Sequence, residues 1–362
     1  MYDIASREHI DAARDRLTTW WNGGDIGRPA LLLSYPREKP LPEFEKPIET
    51  PPGVTAGNYT VKDYAFRAAV GPVWAAGGCY AAEALPTVSP DLAPNCLALY
   101  LGCKGVEGTG TVWCEPTIAS PETAAFKADL ENNFYWNFTM RLTKEWLARG
   151  KNRWFIGFPD LIEGLDTLAA MRDTQTLLMD LIERPQWVKG ALSQITREYF
   201  RCYDALYELM KDDRGGSSFW AWAPGRMSKL QCDFSAMISA DMFKEFMMPV
   251  LEEMTGRLDY CMYHFDGPCA LQHHGHLMSL KNLTMLQWTP GTGNVQPAQH
   301  EAWFDLYHRT IEAGKKIYIH GVSRDRVNAF KREFGAGFKQ FMFPCWAPSK
   351  KEAEEFIRAC EM

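Results

Sequence analysis

Apolar residues near the start of the chain, Ile10, Ala13, Leu17 and Trp20/Trp21, recur every three to four positions. This spacing predicts a first helix from Ser6 to Trp21, ended by the Gly23-Gly24 pair. The run Pro29 to Leu33 reads as a buried strand, and Pro36 to Pro52, rich in Pro and Glu without periodicity, as a loop or arm. Between Val61 and Gly150 the segments VKDYAFRAAVGPVWAA and PETAAFKADLENNFYWNFTMRLTKEWLARG read as helical, around a short strand at Gly110 to Cys114.

Beyond residue 150 short apolar runs alternate with helical patterns: Trp154 to Phe158, Ser218 to Trp222, Tyr260 to Tyr263, Leu283 to Trp288, Ile317 to Ile319 and Gln340 to Phe343. Phe243, Phe246, Met247, Val250, Leu251 and Met254 form one helical stripe, and Phe304, Tyr307 and Ile311 another. Strands alternating with helices predict a parallel sheet. With the candidates at 29–33 and 110–114 the units number eight, which favours a (β/α)8 TIM barrel over an open doubly wound sheet. No strand leads into a G-x-G-x-x-G turn, and the glycines of GTGTVW and PGTGN are lone turn glycines. The expected organisation is one domain over 1–362, with N-terminal elaborations and lid-like insertions within 1–150 and regular repeats over 151–362.

Composition narrows the partners. Lys and Arg number 39 against 45 Asp and Glu, a net charge of −6, so the basic surplus needed for nucleic acid or anionic lipid is missing. The first residues are charged throughout and lack a signal-peptide apolar stretch, and no run approaches the roughly 20 residues of a membrane span. Ten cysteines without a C-x-x-C pair read as reduced thiols, mostly small core residues. A cytoplasmic protein without membrane or nucleic-acid partners is expected, and a homo-oligomer is compatible with the sequence.

In a barrel the chemistry lies where strands finish. The residues after each apolar run are Pro159-Asp160 with Glu163; Ala223 to Arg226; His264 with Asp266; Thr289 to Gly291; His320; and Pro344-Cys345. If the strand after Tyr260 continues to Asp266, the period of two places His264 and Asp266 on one side. Imidazole and carboxylate are competent zinc ligands, and Cys345 can complete a three-ligand set with an open position. The plainer alternative makes His264 a hydrogen-bonded strand-end residue, Asp266 a turn cap and Cys345 core. His273 and His276 share a helix face from which His274 diverges, as expected of a partly solvated helix. Asp233 is a general base, an orienting carboxylate or a loop cap, and Trp222, Trp288 and Tyr263 are candidates to wall a pocket.

The segments FPDLIEGLDTLAAMRDTQTLLMDL, AWAPGRMSKLQCDFSAMISADMFKEFMMPVLEE, YHFDGPCALQH and QWTPGTG resemble, in order and spacing, the uroporphyrinogen decarboxylase-like superfamily. EALPTVSPDLAPNCLALYLG and TVWCEP are similar to its less characterised uroporphyrinogen-III decarboxylase-like branch, and the likeness runs from about residue 80 to the C-terminus. The resemblance implies a (β/α)8 barrel. True decarboxylases of the family are metal-free and carry an R-Q-A-G-R-Y segment that grips substrate carboxylates. The comparable stretch here, Tyr35 to Phe44, keeps only Leu41-Pro42-Glu43 and lacks the arginine pair, which disfavours a polycarboxylate porphyrinogen. A related branch consists of zinc methyltransferases with an H-x-C pattern and a later Cys; His264 and Cys345 match it, and Asp266 replaces the first Cys. That exchange makes a harder zinc site, suited to polarising an oxygen or nitrogen leaving group.

The function implied is methyl transfer from a small O- or N-methylated substrate to a corrinoid on a partner protein, with zinc at His264, Asp266 and Cys345. Asp233, Tyr263 and Asp266 are the catalytic candidates. Asp160, Glu163, Trp222, Arg226, Trp288 and His320 are the substrate-binding candidates. The alternatives are a metal-assisted lyase or hydrolase, a metal-free decarboxylase of a small organic acid using Asp233 and Tyr263, and a binding or regulatory protein on a degenerate barrel.

Overall fold

The computed structural model of the protein describes residues 4–54, 59–108, 110–151, 153–291 and 295–362. Its strands, in chain order, are β1 (Ala30–Pro36), β2 (Gly78–Ala82), β3 (Thr87–Val88), β4 (Lys104–Gly108), β5 (Thr111–Glu115), β6 (Phe155–Ile156) and β7 (Ser217–Phe219). They continue with β8 (Ala221–Ala223), β9 (Met227–Gln231), β10 (Tyr260–Asp266), β11 (Met285–Thr289), β12 (Lys316–Tyr318) and β13 (Phe341–Trp346). Seven of them form the central sheet in the order β2-β1-β13-β12-β11-β10-β9, parallel throughout except for β2 against β1. β3 pairs in parallel with β6, and a parallel bridge from Gly157 to Ser218 leads on to β7. The fold is thus mixed α/β, and among the described residues no hydrogen-bonded ladder closes the sheet on itself.

The period of two along each strand sorts its side chains between two apolar clusters. Leu31, Leu33, Leu230, Cys261, Tyr263, Phe265, Leu286, Trp288, Ile317, Phe341 and Phe343 pack with the helices. On the other face Ala30, Met227, Met262, Met285, Tyr318 and Met342 meet Trp20 and Trp21 of the first helix, Arg7–Trp21. This second cluster occupies the N-terminal part of the sheet. Two residues further along the same face stand Lys229, His264 and Gln287, so the apolar floor gives way to polar groups toward the C-terminal strand ends.

The first helix, β1 and the strands at 260–266, 285–289, 316–318 and 341–346 agree with the sequence patterns, and β10 does continue to Asp266. Other expectations are corrected. The strand expected at 110–114 is half of an antiparallel hairpin, β4 with β5, outside the central sheet. The sheet instead takes β9, whose Lys229 and Gln231 hid it by breaking the apolar pattern although all five of its residues are buried. The run 218–222 is two strands: Trp220 has a left-handed φ of 54°, which folds β7 back onto β8. Only Phe134–Arg149 of the segment 121–150 forms an α-helix, capped by Asn133, whose side chain accepts from the Trp136 N–H. The 243–254 stripe is shared by two helices, Ala240–Phe246 and Met248–Arg257, the second opening with Pro249 in its first turn. Among the described residues no helix is long and apolar enough to cross a membrane. Thr292, Gly293 and Asn294 of the PGTGN turn, and Thr109 of GTGTVW, lie outside the described residues.

Candidate metal centre

β9 and β10 lie side by side in register, His264 opposite Gln231, and both point their chemistry to the same face. Past the end of β9 the chain enters a 3-10 turn, Asp233–Met237. One ligand atom each from Asp233, His264 and Asp266 come within 4.8 Å of one another, and among the described residues this is the one group of three metal-type ligands. His264 and Asp266 are half-buried and Asp233 is exposed. Oδ1 of Asp266 is shielded from solvent and has no hydrogen-bond partner. Burial of a carboxylate oxygen in that state is unfavourable unless something completes it.

The imidazole is prepared as a ligand. Burial, with the Lys229 charge beside it, lowers the His264 pKa, so the ring is neutral at pH 7. Its Nδ1 faces the amide oxygen of Gln287, whose Nε2 donates to Thr289 Oγ1 at 2.8 Å. Nδ1 therefore carries the proton and the Nε2 lone pair is free. Although the residue as a whole is exposed, desolvation of its carboxyl by the surrounding chain raises Asp233 above its ordinary range, with Asp266 and Asp160 adding to the rise and Lys229 opposing it.

Around the three ligands runs a polar network. The buried Lys229 ammonium pairs with Asp160 at 2.7 Å and also donates to the Gln231 side-chain oxygen. The Gln231 amide nitrogen donates to Asp233 Oδ2 at 3.1 Å and to Asp166 Oδ2 at 3.2 Å. Burial and the Asp233 charge raise the Asp166 pKa to about 6. Trp220 stands over the opening, 46% exposed, with its ring centroid 5.7 Å from His264 and 5.8 Å from His320. It shares a cavity of about 450 Å3 with Ser34, Tyr59, Asp91 and Ser218. A second cavity, of about 660 Å3, opens on the Asp233 side beneath the β4–β5 hairpin.

The structure redistributes the residues picked out by sequence. Asp160, Asp233, His264, Asp266 and His320 come together. Cys345 is not in the ligand group: its thiol lies 3.5 Å from the Val322 carbonyl, and burial pushes its pKa up to about 12, leaving a protonated thiol rather than a thiolate. Tyr263 and Trp288 alternate to the helix side of the sheet, where Trp288 packs on Phe265 and Trp303, so neither walls the site. Arg226 sits at the opposite end of β9, paired with Asp204 and stacked near Tyr203 and Tyr207, because the reversal at Trp220 turns this segment to the N-terminal edge. Trp222 lines the same 450 Å3 cavity as Trp220, while its indole N–H donates to Asp212 at 2.9 Å and its carbonyl accepts from Trp21. Glu163 is fully buried and accepts the Gln231 backbone N–H at 2.9 Å, a structural contact rather than a substrate one. Burial raises its pKa well above the usual carboxyl range.

His273 and His274 are buried rather than solvated, bonded to the Ser235 carbonyl and to Thr310 respectively. Lys229, Gln231, Asp166, Gln287 and Trp220 join the site although no apolar periodicity or motif points to them. One signal was present: Lys229, Gln231 and Asp233 alternate at the same spacing as Met262, His264 and Asp266. No protein-family model matches the chain, and no curated protein sequence matches it.

Proposed function

We propose that the chain is a divalent-metal enzyme, with zinc as the fitting ion, that removes a methyl group from a small O- or N-methylated substrate and passes it to a corrinoid on a partner protein. The observation that carries the metal reading is the convergence of Asp233, His264 and Asp266 at the C-terminal strand ends, with one Asp266 oxygen otherwise unpartnered. The methyl-transfer reading rests on the resemblance to the zinc methyltransferases. We also propose that β1, β3, β6 and β9 to β13, each followed by helical chain, are the eight staves of a (β/α)8 barrel, which would place this site at its usual functional face.

Asp233, His264 and Asp266 would hold the ion. Bound there, it supplies Lewis acidity that lowers the basicity of the departing oxygen or nitrogen. Two carboxylates and one imidazole make a harder donor set than one containing Cys345, which favours oxygen and nitrogen over a thiol. Gln287 keeps the imidazole oriented. The Lys229–Asp160 pair sets the charge beside the site, and Trp220 with His320 covers the opening and limits water. Asp233, at the open edge of the site with a carboxyl whose pKa is raised above its ordinary range, favours a second reading, a metal-assisted lyase or hydrolase with this residue moving a proton.

Metal analysis of the dialysed protein is the test. One equivalent is expected in the wild type and almost none in His264→Ala or Asp266→Ala. Methyl transfer from amines and methoxy compounds to cob(I)alamin, followed by its absorbance, separates the two reactions: turnover without any corrinoid selects the lyase or hydrolase. A wild type without metal, together with an Asp266→Ala variant of full activity, removes the metal reading.

A further inference from the structure

We propose that Asp166 is a positioning residue whose carboxylate fixes the chain after β9 so that Asp233 reaches His264 and Asp266; this rests on the metal reading above. His264 and Asp266 need no such help, because both sit inside a strand paired with β11 on one side and, at His264, with β9 on the other. Asp233 is different. β9 ends at Gln231, and the N–H groups that open the following 3-10 turn have no strand or helix partner of their own.

Asp166, in the first turn of the helix Gly164–Arg172, supplies that partner. Its Oδ2 accepts the Asp233 N–H at 2.8 Å and its Oδ1 accepts the Phe234 N–H at 2.8 Å. The Gln231 side chain, which also donates to the Asp233 carboxylate, donates to the same Oδ2 at 3.2 Å. Three residues earlier, Glu163 takes the Gln231 backbone N–H. Two carboxylates spaced i, i+3 at one helix start thus receive four N–H donors from residues 231–234. The one side-chain bond of Asp233, from Gln231, passes through a group that Asp166 also holds. Without Asp166 the Asp233 and Phe234 amides turn to water, and the exposed ligand loses its direction.

The experiment titrates the full-length, chelator-stripped protein with Zn2+ alone by calorimetry, comparing wild type, Asp166→Asn, Asp166→Ala and Asp173→Asn. Asp173 caps the next helix through Gln175 and Thr176 and stands outside the ligand group, so it serves as the control. Removing a group that orients a ligand typically weakens metal binding by about 10–100-fold. Asp166→Ala is expected in that range at unchanged stoichiometry, and Asp166→Asn, which keeps one acceptor, at about tenfold. Asp173→Asn is expected to leave the affinity alone. Amide exchange provides the readout independent of metal: the Asp233 and Phe234 amides speed up in Asp166→Asn while those of β10 do not. If Asp166→Ala fails to fold, Asp166→Asn decides. A wild type that binds Zn2+ and an Asp166→Asn variant of equal affinity overturn this inference alone. A wild type that takes up no Zn2+ overturns it together with the metal reading.

Discussion

Gln287 presents its amide oxygen to Nδ1 of His264 across the β10–β11 register, and Thr289 fixes that amide by accepting from its nitrogen. The pair sets the tautomer that leaves Nε2 available. Gln287→Met keeps the side-chain length and removes the acceptor, so Zn2+ affinity should fall by about 10–100-fold with the fold retained. Calorimetric titration checks this, and an unchanged affinity would show that the imidazole is oriented by something other than Gln287.

Cys345 is expected to be dispensable for metal binding. Its thiol is protonated at neutral pH and lies outside the ligand group. Cys345→Ser should therefore retain the full metal content by elemental analysis, and the wild-type thiol should react with iodoacetamide at pH 7 far more slowly than exposed Cys269. Loss of metal in Cys345→Ser would return the thiolate to the site.

Trp220 holds a backbone conformation that L side chains adopt at a penalty of roughly 1–2 kcal/mol. Glycine removes that penalty and alanine does not, although both delete the indole. Trp220→Gly should accordingly be more stable than Trp220→Ala by about 1 kcal/mol in urea denaturation. Equal stabilities would mean that the left-handed turn is not kept in solution.

The Asp91 carboxyl is pushed up to about 6 by burial and by the Asp160 charge. Below pH 4 the folded and unfolded chains both hold this proton. Between pH 4 and 6 the unfolded chain releases it while the folded one retains it, so this group's contribution to stability declines across that window and is level above it. The decline is on the order of 2–3 kcal/mol. Asp91→Asn can still accept the Asp160 N–H, made at 2.9 Å in the wild type, without titrating. Relative to wild type the variant should gain stability as the pH rises from 4 to 7, read from urea midpoints. A parallel pH dependence in the two proteins would place the Asp91 pKa near its ordinary value.

Much of the architecture was legible because burial imposes a period on apolar residues. β10, β11, β12 and β13 announced themselves by apolar runs, and the first helix by its 3–4 spacing. β9 did not, since its inward positions carry Lys229 and Gln231, whose cost of burial is offset by their mutual hydrogen bond and by Asp160, Asp166 and Asp233 from outside the strand. The β4–β5 hairpin departs from the expected central strand for the opposite reason: a short β-forming run does not say which strand it will pair with. Trp220 hid its turn because no glycine marked the left-handed position.

The sequence by itself determined the α/β class, the parallel character of the sheet and the placing of His264 and Asp266 on one side of β10, since each follows from periodicity within a single segment. Only the tertiary structure decided that Asp233 rather than Cys345 joins them, and that Arg226 and Trp288 stand elsewhere. Those outcomes depend on strand register, on the reversal at Trp220 and on hydrogen bonds between residues about 70 positions apart, such as Asp166 with Asp233. Spacing along one segment carries no information about such contacts, because the partner's position is fixed by the packing of the whole chain.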